Sequence, residues 1–141
     1  MSDCVFCRIV AGQIHSTKVH EDEQTLAFMD LGQINPGHVL VAVKKHVANL
    51  YELDDVQAAA VAGASTRIAR AIRDAFAPAG LSVYQANGRA AGQTVFHYHV
   101  HLLPRHESDG MELTWPAKNP PREKLEEYAG KIRAGLSPHI G

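Results

Sequence analysis

The chain has 141 residues, 45% of them hydrophobic and 21% charged, with 14 basic side chains against 15 acidic. That is the composition of one globular domain with a sizeable core, and a formal charge of −1 argues against wholesale binding to nucleic acid or an anionic membrane. No apolar run approaches the ~20 residues of a membrane span, and the first residues lack a secretion signal, so a cytoplasmic protein is expected.

Asp3 is expected to cap a short helix over residues 4–10, which Gly12 ends. That helix puts Cys4 and Cys7, three residues apart, on one face. In a reducing compartment the pair reads as thiols or metal ligands rather than a disulfide. Next, "KVHEDEQTLAFMD" predicts two short strands around an acidic turn at Glu21 to Glu23. "LGQINPG" is a loop, and "HVLVAVK", residues 38–44, is the returning strand. Asp54 or Asp55 opens the longest periodic segment, with Val56, Ala59, Ala60, Ala64, Ile68, Ile72 and Phe76 at helical spacing and Pro78-Ala79-Gly80 as the stop. Its run of small side chains, "QAAAVAGAS", lets another backbone come close, within the monomer or across a subunit interface. Residues 81–86, "LSVYQA", form a strand, "NGRAAG" a glycine-bearing loop, and residues 94–103 the final strand. Past Pro104 the chain turns polar and proline-rich, and a helix over about 122–134 closes it. Strand hairpins with the long helix and the C-terminal helix kept to one side predict an α+β fold on an antiparallel sheet. We expect a single domain over 1–141, with a core of about 4–105 and a C-terminal extension over 106–141.

Nine histidines are the compositional anomaly, and "QTVFHYHVHLLPR" concentrates three of them. Period-two geometry puts Phe96, Tyr98, Val100 and Leu102 on one face of the final strand and His97, His99 and His101 on the other. One such histidine is most simply a core residue satisfied by hydrogen bonds; three in alternation, backed by an apolar face, point to a site. Two chemistries fit. A His-x-His pair on a strand can ligate zinc. Alternatively, an imidazole substantially deprotonated at neutral pH can attack phosphorus while its neighbours protonate a leaving group or stabilise phosphoryl oxygens. The flanking Asn87, Gly88, Gly92, Gln93 and Thr94 favour the second, because glycines let backbone N–H groups approach an anion.

With these residues in view the chain resembles the histidine triad (HIT) family of nucleotide hydrolases and transferases. The likeness rests on "HYHVHLL", supported in order by "CVFC", "LAFMD", "NPGHVLVAVKKH" and "AGQTVFH". It implies a HIT-like fold whose sheet is extended by dimerisation, and a nucleotide hydrolase that cleaves a purine nucleoside 5′-phosphoramidate or related ester at the α-phosphorus. His99 would be the nucleophile, forming a nucleotidyl-histidine, with His101 and His38 as the other active-site imidazoles. His101 and Gln93 would lie near the phosphate and leaving group, and His97 would position His99 through its backbone carbonyl. Thr94 and Asn87 would contact the phosphate and its approach. Asp30 matches the ribose-binding carboxylate, and Val5, Phe6, Ile9, Ile14, Phe28 and Leu31 would wall the base pocket, with an ordinary core role as the alternative for each.

The resemblance also implies one structural zinc per chain, held by Cys4, Cys7, His46 and His97, since a subset of the family carries this closed Cys2His2 arrangement. The partners implied are a small nucleotide substrate and a second copy of the chain, with no nucleic-acid polymer and no membrane. Gly32 and Gln33 stand where the family often has a proline, which predicts a looser loop after Asp30. Three rival readings are a dinucleoside polyphosphate hydrolase, a metallohydrolase with its metal on the triad, and a non-enzymatic nucleotide-binding module.

Overall fold

The computed structural model of the chain describes residues 3–112 and 114–139, the side chain of residue 137 excepted. Within it the chain divides into two compact units, residues 1–109 and 110–141, whose outermost positions lie outside the described residues.

The first unit is built on a five-stranded antiparallel sheet. Its strands are β1 (Lys18–Glu21), β2 (Thr25–Met29), β3 (Val39–Val43), β4 (Gly80–Tyr84) and β5 (His99–Arg105), in the spatial order β1-β2-β3-β5-β4. β2 and β3 read as continuous apolar runs because both their faces are covered. On one face lies the long helix α2 (Asp55–Phe76), which starts at Asp54: the Asp54 carboxylate accepts the Gln57 N–H and the Gln57 side chain returns to the Asp54 N–H, a full capping box. Gln57, Val61, Ala64, Ile68 and Ile72 are its buried stripe, packed on Ala27, Val39, Val41, Val43, Val100 and Leu102. The sequence periodicity placed the helix correctly but its face only in part, since Val56 is 63% and Phe76 46% exposed.

The opposite face is covered by the short helix α1 (Val5–Val10), whose Phe6 and Ile9 pack on Leu26, Phe28, Leu40 and Ala42. Its cap differs from expectation. Cys4, not Asp3, is the N-cap, and the Cys4 Sγ accepts the Cys7 N–H at 3.4 Å. Residues at even positions of β2 and β3 face α1, and the pairings Ala42↔His99 and Leu40↔His101 carry that face into β5. The two histidines therefore look toward α1, and their neighbours Val100 and Leu102 toward α2.

The final strand begins at His99 rather than at residue 94. Tyr98 gives its N–H to the Val47 carbonyl (2.8 Å), and the backbone before it leaves the ladder. Phe96, assigned by parity to the core, is accordingly 40% exposed, whereas Tyr98, Val100 and Leu102 are buried.

In the second unit, residues 110–121 carry no helix or strand among those described, and Trp115 is 84% exposed. Helix α3 (Arg122–Leu136) has no buried residue; Leu125, Tyr128, Ile132 and Leu136 form an apolar stripe along it. No helix among the described residues is long and apolar enough to cross a membrane.

Candidate active site and metal-ligand cluster

Sheet parity sets the site. Phe28 and Leu40 face α1, so Asp30 and His38, each two residues away along the chain, project on that side too, beside His99 and His101. The hydrogen bonds then assign the ring protons. The His99 Nδ1 lies 2.7 Å from the His97 carbonyl, which can only accept, so Nδ1 carries the proton and neutral His99 keeps a bare Nε2. The Ile34 N–H donates to His38 Nδ1 (3.4 Å), which leaves the His38 proton on Nε2, and that proton meets His101 Nδ1 at 2.9 Å. His101 therefore holds its own proton on Nε2. The His99 and His101 ring centres are 5.1 Å apart. A bare imidazole nitrogen thus sits beside an imidazole N–H, a nucleophile next to a donor.

Electrostatics keep these rings neutral. Burial pushes His101 down to about 4, with the nearby His99 and His38 adding to the shift and Asp30 opposing it. Burial likewise lowers His99 and His38, again against the Asp30 carboxylate. The Asp30 Oδ2 lies 3.5 Å from His38 Nε2 and 3.8 Å from His101 Nδ1.

The loop from Asp30 to His38 is clamped, contrary to the expectation of a looser one. The Gln33 Nε2 donates to the carbonyls of Asp30 (2.6 Å) and His38 (2.7 Å), while its Oε1 accepts the N–H groups of Gly37 (3.0 Å) and His38 (3.3 Å). One carboxamide replaces the stiffness a proline would give. A second clamp holds the loop to the end of β5. Asn35 Nδ2 donates to the Pro104 carbonyl (2.8 Å) and to Asp109 (3.0 Å), and Arg105 grips the Asp109 carboxylate at 2.7 and 3.1 Å. Sequence reasoning missed Gln33, Asn35 and Asp109; the Asn-Pro-Gly turn was the available signal for Asn35. It also missed Tyr84, whose ring centre is 5.7 Å from that of His101 across the β4–β5 pairing.

The polar loop before β5 is committed to itself. Gln93 is buried: its Oε1 accepts the Gly88 N–H (2.7 Å) and its Nε2 donates to the carbonyls of Ala48 (2.7 Å) and Val95 (3.2 Å). The Gly92 N–H goes to the Arg89 carbonyl. Asn87 Oδ1 accepts the Leu50 N–H at 2.8 Å, and its amide pairs with Gln85. These groups shape the loop rather than standing open as an anion cradle; Thr94 is exposed on it. Of the apolar candidates, Phe6, Ile9 and Phe28 are buried together with Ile14 packed against them, and the Phe6 ring lies edge-on 4.9 Å from His99. Val5 is 40% exposed, and Leu31 is 100% exposed and stands apart from that cluster.

Cys4, Cys7, His46 and His97 also converge. The Cys4 Sγ and Cys7 Sγ lie 3.3 and 3.6 Å from His97 Nδ1, Cys7 Sγ lies 3.3 Å from His46 Nδ1, and the two Nδ1 atoms are 3.2 Å apart. A tetrahedral zinc ion with ordinary Zn–S and Zn–N bonds would separate such donors by about 3.3–3.8 Å. Four of the six donor separations are thus close to those of a closed four-coordinate ion, and all four atoms lie within 4.8 Å of one another. His97 is fully buried, and its Nε2–H donates to the Val43 carbonyl (2.6 Å), turning the Nδ1 lone pair to the cluster as a ligand requires. Burial and the adjacent Cys4 push the Cys7 thiol up, a penalty on the thiolate that a cation would offset.

On the α2 face a groove of about 760 Å³ opens between the helix and β4, lined by Ala58, Ala62, Ala69, Leu81 and Val83 among others. It contains none of the histidines, and β4 is an edge strand.

The chain and its fold match known proteins over most of their length. The HIT domain model matches residues 11–108. The Bacillus subtilis relative "Protein hit" is 50% identical over 138 residues, covering 96% of this chain and 95% of that one. An adenosine 5′-monophosphoramidase, hnt1 of Schizosaccharomyces pombe, is 36% identical, covering 92% and 98%. Among solved structures, a HIT family protein from Bacillus anthracis superposes with a TM-score of 0.90 at 40% identity, covering 94% and 96%. A zinc-bound histidine triad family protein from Mycobacterium smegmatis gives 0.74 at 32%, covering 95% and 98%. With the family model spanning most of the chain and relatives matching it nearly end to end, this protein belongs to the HIT family.

Proposed function

We propose that the chain is a nucleotide hydrolase that cleaves purine nucleoside 5′-phosphoramidates through a nucleotidyl-His99 intermediate. The carrying observation is the 2.7 Å bond from His99 Nδ1–H to the His97 carbonyl, which leaves Nε2 bare beside the His101 N–H. The His99 Nε2 lone pair attacks the α-phosphorus, the P–N bond breaks, and the leaving nitrogen departs with a proton from the His38–His101 pair. Water then attacks the phosphorus, giving the nucleoside monophosphate and free His99. Asp30 is assigned to the ribose hydroxyls, Thr94 to the phosphate, and Phe6, Ile9, Ile14 and Phe28 to the surroundings of the base. Asn87 and Gln93 act by holding the loop. The named activity of the fission-yeast relative supports the substrate class.

Cys4, Cys7, His46 and His97 would hold one zinc per chain. Four protein ligands leave no open position for water, so the ion would be structural, tying α1 and His46 to the backbone that precedes His99. The exposed edge of β4, with Leu81, Val83 and the small-residue face of α2 beside it, supports a homodimer formed by a second copy on that face. A shift to monomer in solution on Val83→Asp would test this. Two cysteines used as metal ligands rather than as a disulfide would fit a cytoplasmic setting.

The test is to incubate the protein with an adenosine phosphoramidate labelled at the α-phosphorus and quench in alkali. An adduct that is stable in alkali, labile in acid and absent from His99→Ala is expected. Turnover without adduct overturns the mechanism, and nucleotide binding without turnover leaves a binding module. Faster cleavage of a diadenosine polyphosphate would move the substrate class. More than one zinc per chain with activity lost on chelation would favour a metallohydrolase.

A further inference from the structure

The carboxylate of Asp30 faces the imidazoles in a way that a ribose contact does not require. Its Oδ1 accepts the Gly32 N–H at 2.6 Å, its own N–H donates to the His38 carbonyl at 3.0 Å, and Gln33 bridges the carbonyls of both residues. Asp30 and His38 are thus fixed as one unit, and the remaining oxygen, Oδ2, is held between His38 Nε2 (3.5 Å) and His101 Nδ1 (3.8 Å). Among the described residues no other carboxylate forms an ion pair with either ring.

The neutral pair carries two ring protons, one on His38 Nε2 and one on His101 Nε2. A leaving amine takes one proton, so the pair must hold a third beforehand or end as an imidazolate, which water at neutral pH does not support. The third proton goes to His101 Nδ1, where it meets the His38 Nε2–H across 2.9 Å, donor against donor. It is accommodated by turning toward Asp30 Oδ2, or by moving the His38 proton to Nδ1 at the expense of the 3.4 Å contact from Ile34. Either arrangement places a buried cation beside one negative charge. Burial alone disfavours that cation at both rings, and the Asp30 field opposes the burial.

We propose that, with the anionic substrate bound, Asp30 is the charge partner of the His38–His101 pair, holding on it the proton that the leaving amine carries away, besides any contact it makes with ribose. The step balances: the His99 Nε2–P bond forms, the P–N bond breaks, the third proton joins the leaving nitrogen, and the pair returns to its two-proton state.

This deepens the hydrolase reading and rests on it. The test measures single-turnover adduct formation in the wild type and in Asp30→Asn, which is isosteric and keeps an oxygen for the Gly32 N–H. Four substrates are compared: an adenosine 5′-alkylphosphoramidate, the 4-nitrophenyl ester of adenosine 5′-phosphate, whose leaving group needs no proton, and the 2′,3′-dideoxy form of each. On the dideoxy phosphoramidate Asp30→Asn is expected to be slower than wild type by about tenfold or more, although no ribose hydroxyls remain to be lost. On the dideoxy nitrophenyl ester the loss is expected to be about tenfold smaller than that. Equal rates for variant and wild type on the dideoxy phosphoramidate overturn the inference, leaving Asp30 a ribose contact. Equal losses with both leaving groups overturn it too, since damage to the fold does not distinguish an amine from a nitrophenolate. A wild type that forms no adduct from any of the four removes the hydrolase reading, and the inference with it.

Discussion

Two groups of imidazoles share one face of the sheet, and they differ in what remains once each nitrogen has found a partner. In the cluster with Cys4 and Cys7, His97 has Nε2 committed to Val43 and Nδ1 turned to three other donors, and its side chain is fully buried. Two residues on, His99 has only Nδ1 engaged by hydrogen bonding among the described residues, and His101 only Nδ1, and both rings remain part-exposed. Residue type is the same throughout. The proposed roles follow from the leftover nitrogen: none at His97, a lone pair at His99, an N–H at His101.

Several substitutions would break that contrast if it were wrong. The largest separation is expected between His99→Ala and His97→Ala. The first should lower turnover by about 10⁴-fold or more while the melting temperature stays near that of the wild type. The second should cost stability and the proposed zinc first, seen by calorimetry and elemental analysis. A His97→Ala protein that keeps its metal and its melting temperature would erase the distinction. Cys7→Ser is expected to weaken metal binding by about 100-fold or more, since it removes a direct ligand rather than an outer partner, with activity falling only as far as the β5 backbone loosens. Equal loss of activity with metal content unchanged would place Cys7 among the reacting groups instead.

Acid should act on the open group. His101 titrates near 4 in the folded chain, whereas in the unfolded chain it takes up its proton around pH 6.5. The unfolded state therefore binds more protons between those values. Stability from this group is complete above about pH 6.5 and is lost as the pH falls toward 4, by about 2 kcal/mol between pH 7 and 5. His101→Gln should flatten that part of a plot of denaturation free energy against pH, and an unchanged slope would show that the ring is not buried neutral. The smallest effect expected is at the turn that delivers His38. Gly37 has φ 97°, and a Cβ there would stand 2.8 Å from the Phe76 ring. Gly37→Ala should cost about 1–2 kcal/mol by urea titration and lower turnover modestly by shifting His38.

The elements were legible wherever a local pattern carried them. Asp54 and the helical spacing of Ala64, Ile68 and Ile72 announced the long helix, and the alternation from Tyr98 to Leu102 gave the sheet its two sides. Alternation misled at Phe96, because a bond from Tyr98 to Val47, about a third of the chain away, takes the backbone off the ladder. The metal-ligand set was suggested by family resemblance, and its convergence needed the fold: His46 and His97 are brought to the cysteines by β3 and by the turn before β5. The clamps by Gln33 and by Asp109 with Asn35 were invisible for the same reason, since their partners are backbone groups and side chains brought close only by tertiary structure. Gln93 and Asn87 read as exposed polar groups for an anion, but burial and loop geometry turned them inward.

The bond that orients His99 ends on a main-chain oxygen. Every amino acid at position 97 supplies that oxygen, so no point substitution there deletes the acceptor; it can only displace it. The tautomer of the proposed nucleophile is in this sense robust to mutation, whereas the proton on His101 hangs on side chains that a single base change can remove. Drift within such a protein would then be expected to alter how leaving groups are handled sooner than whether phosphorus is attacked.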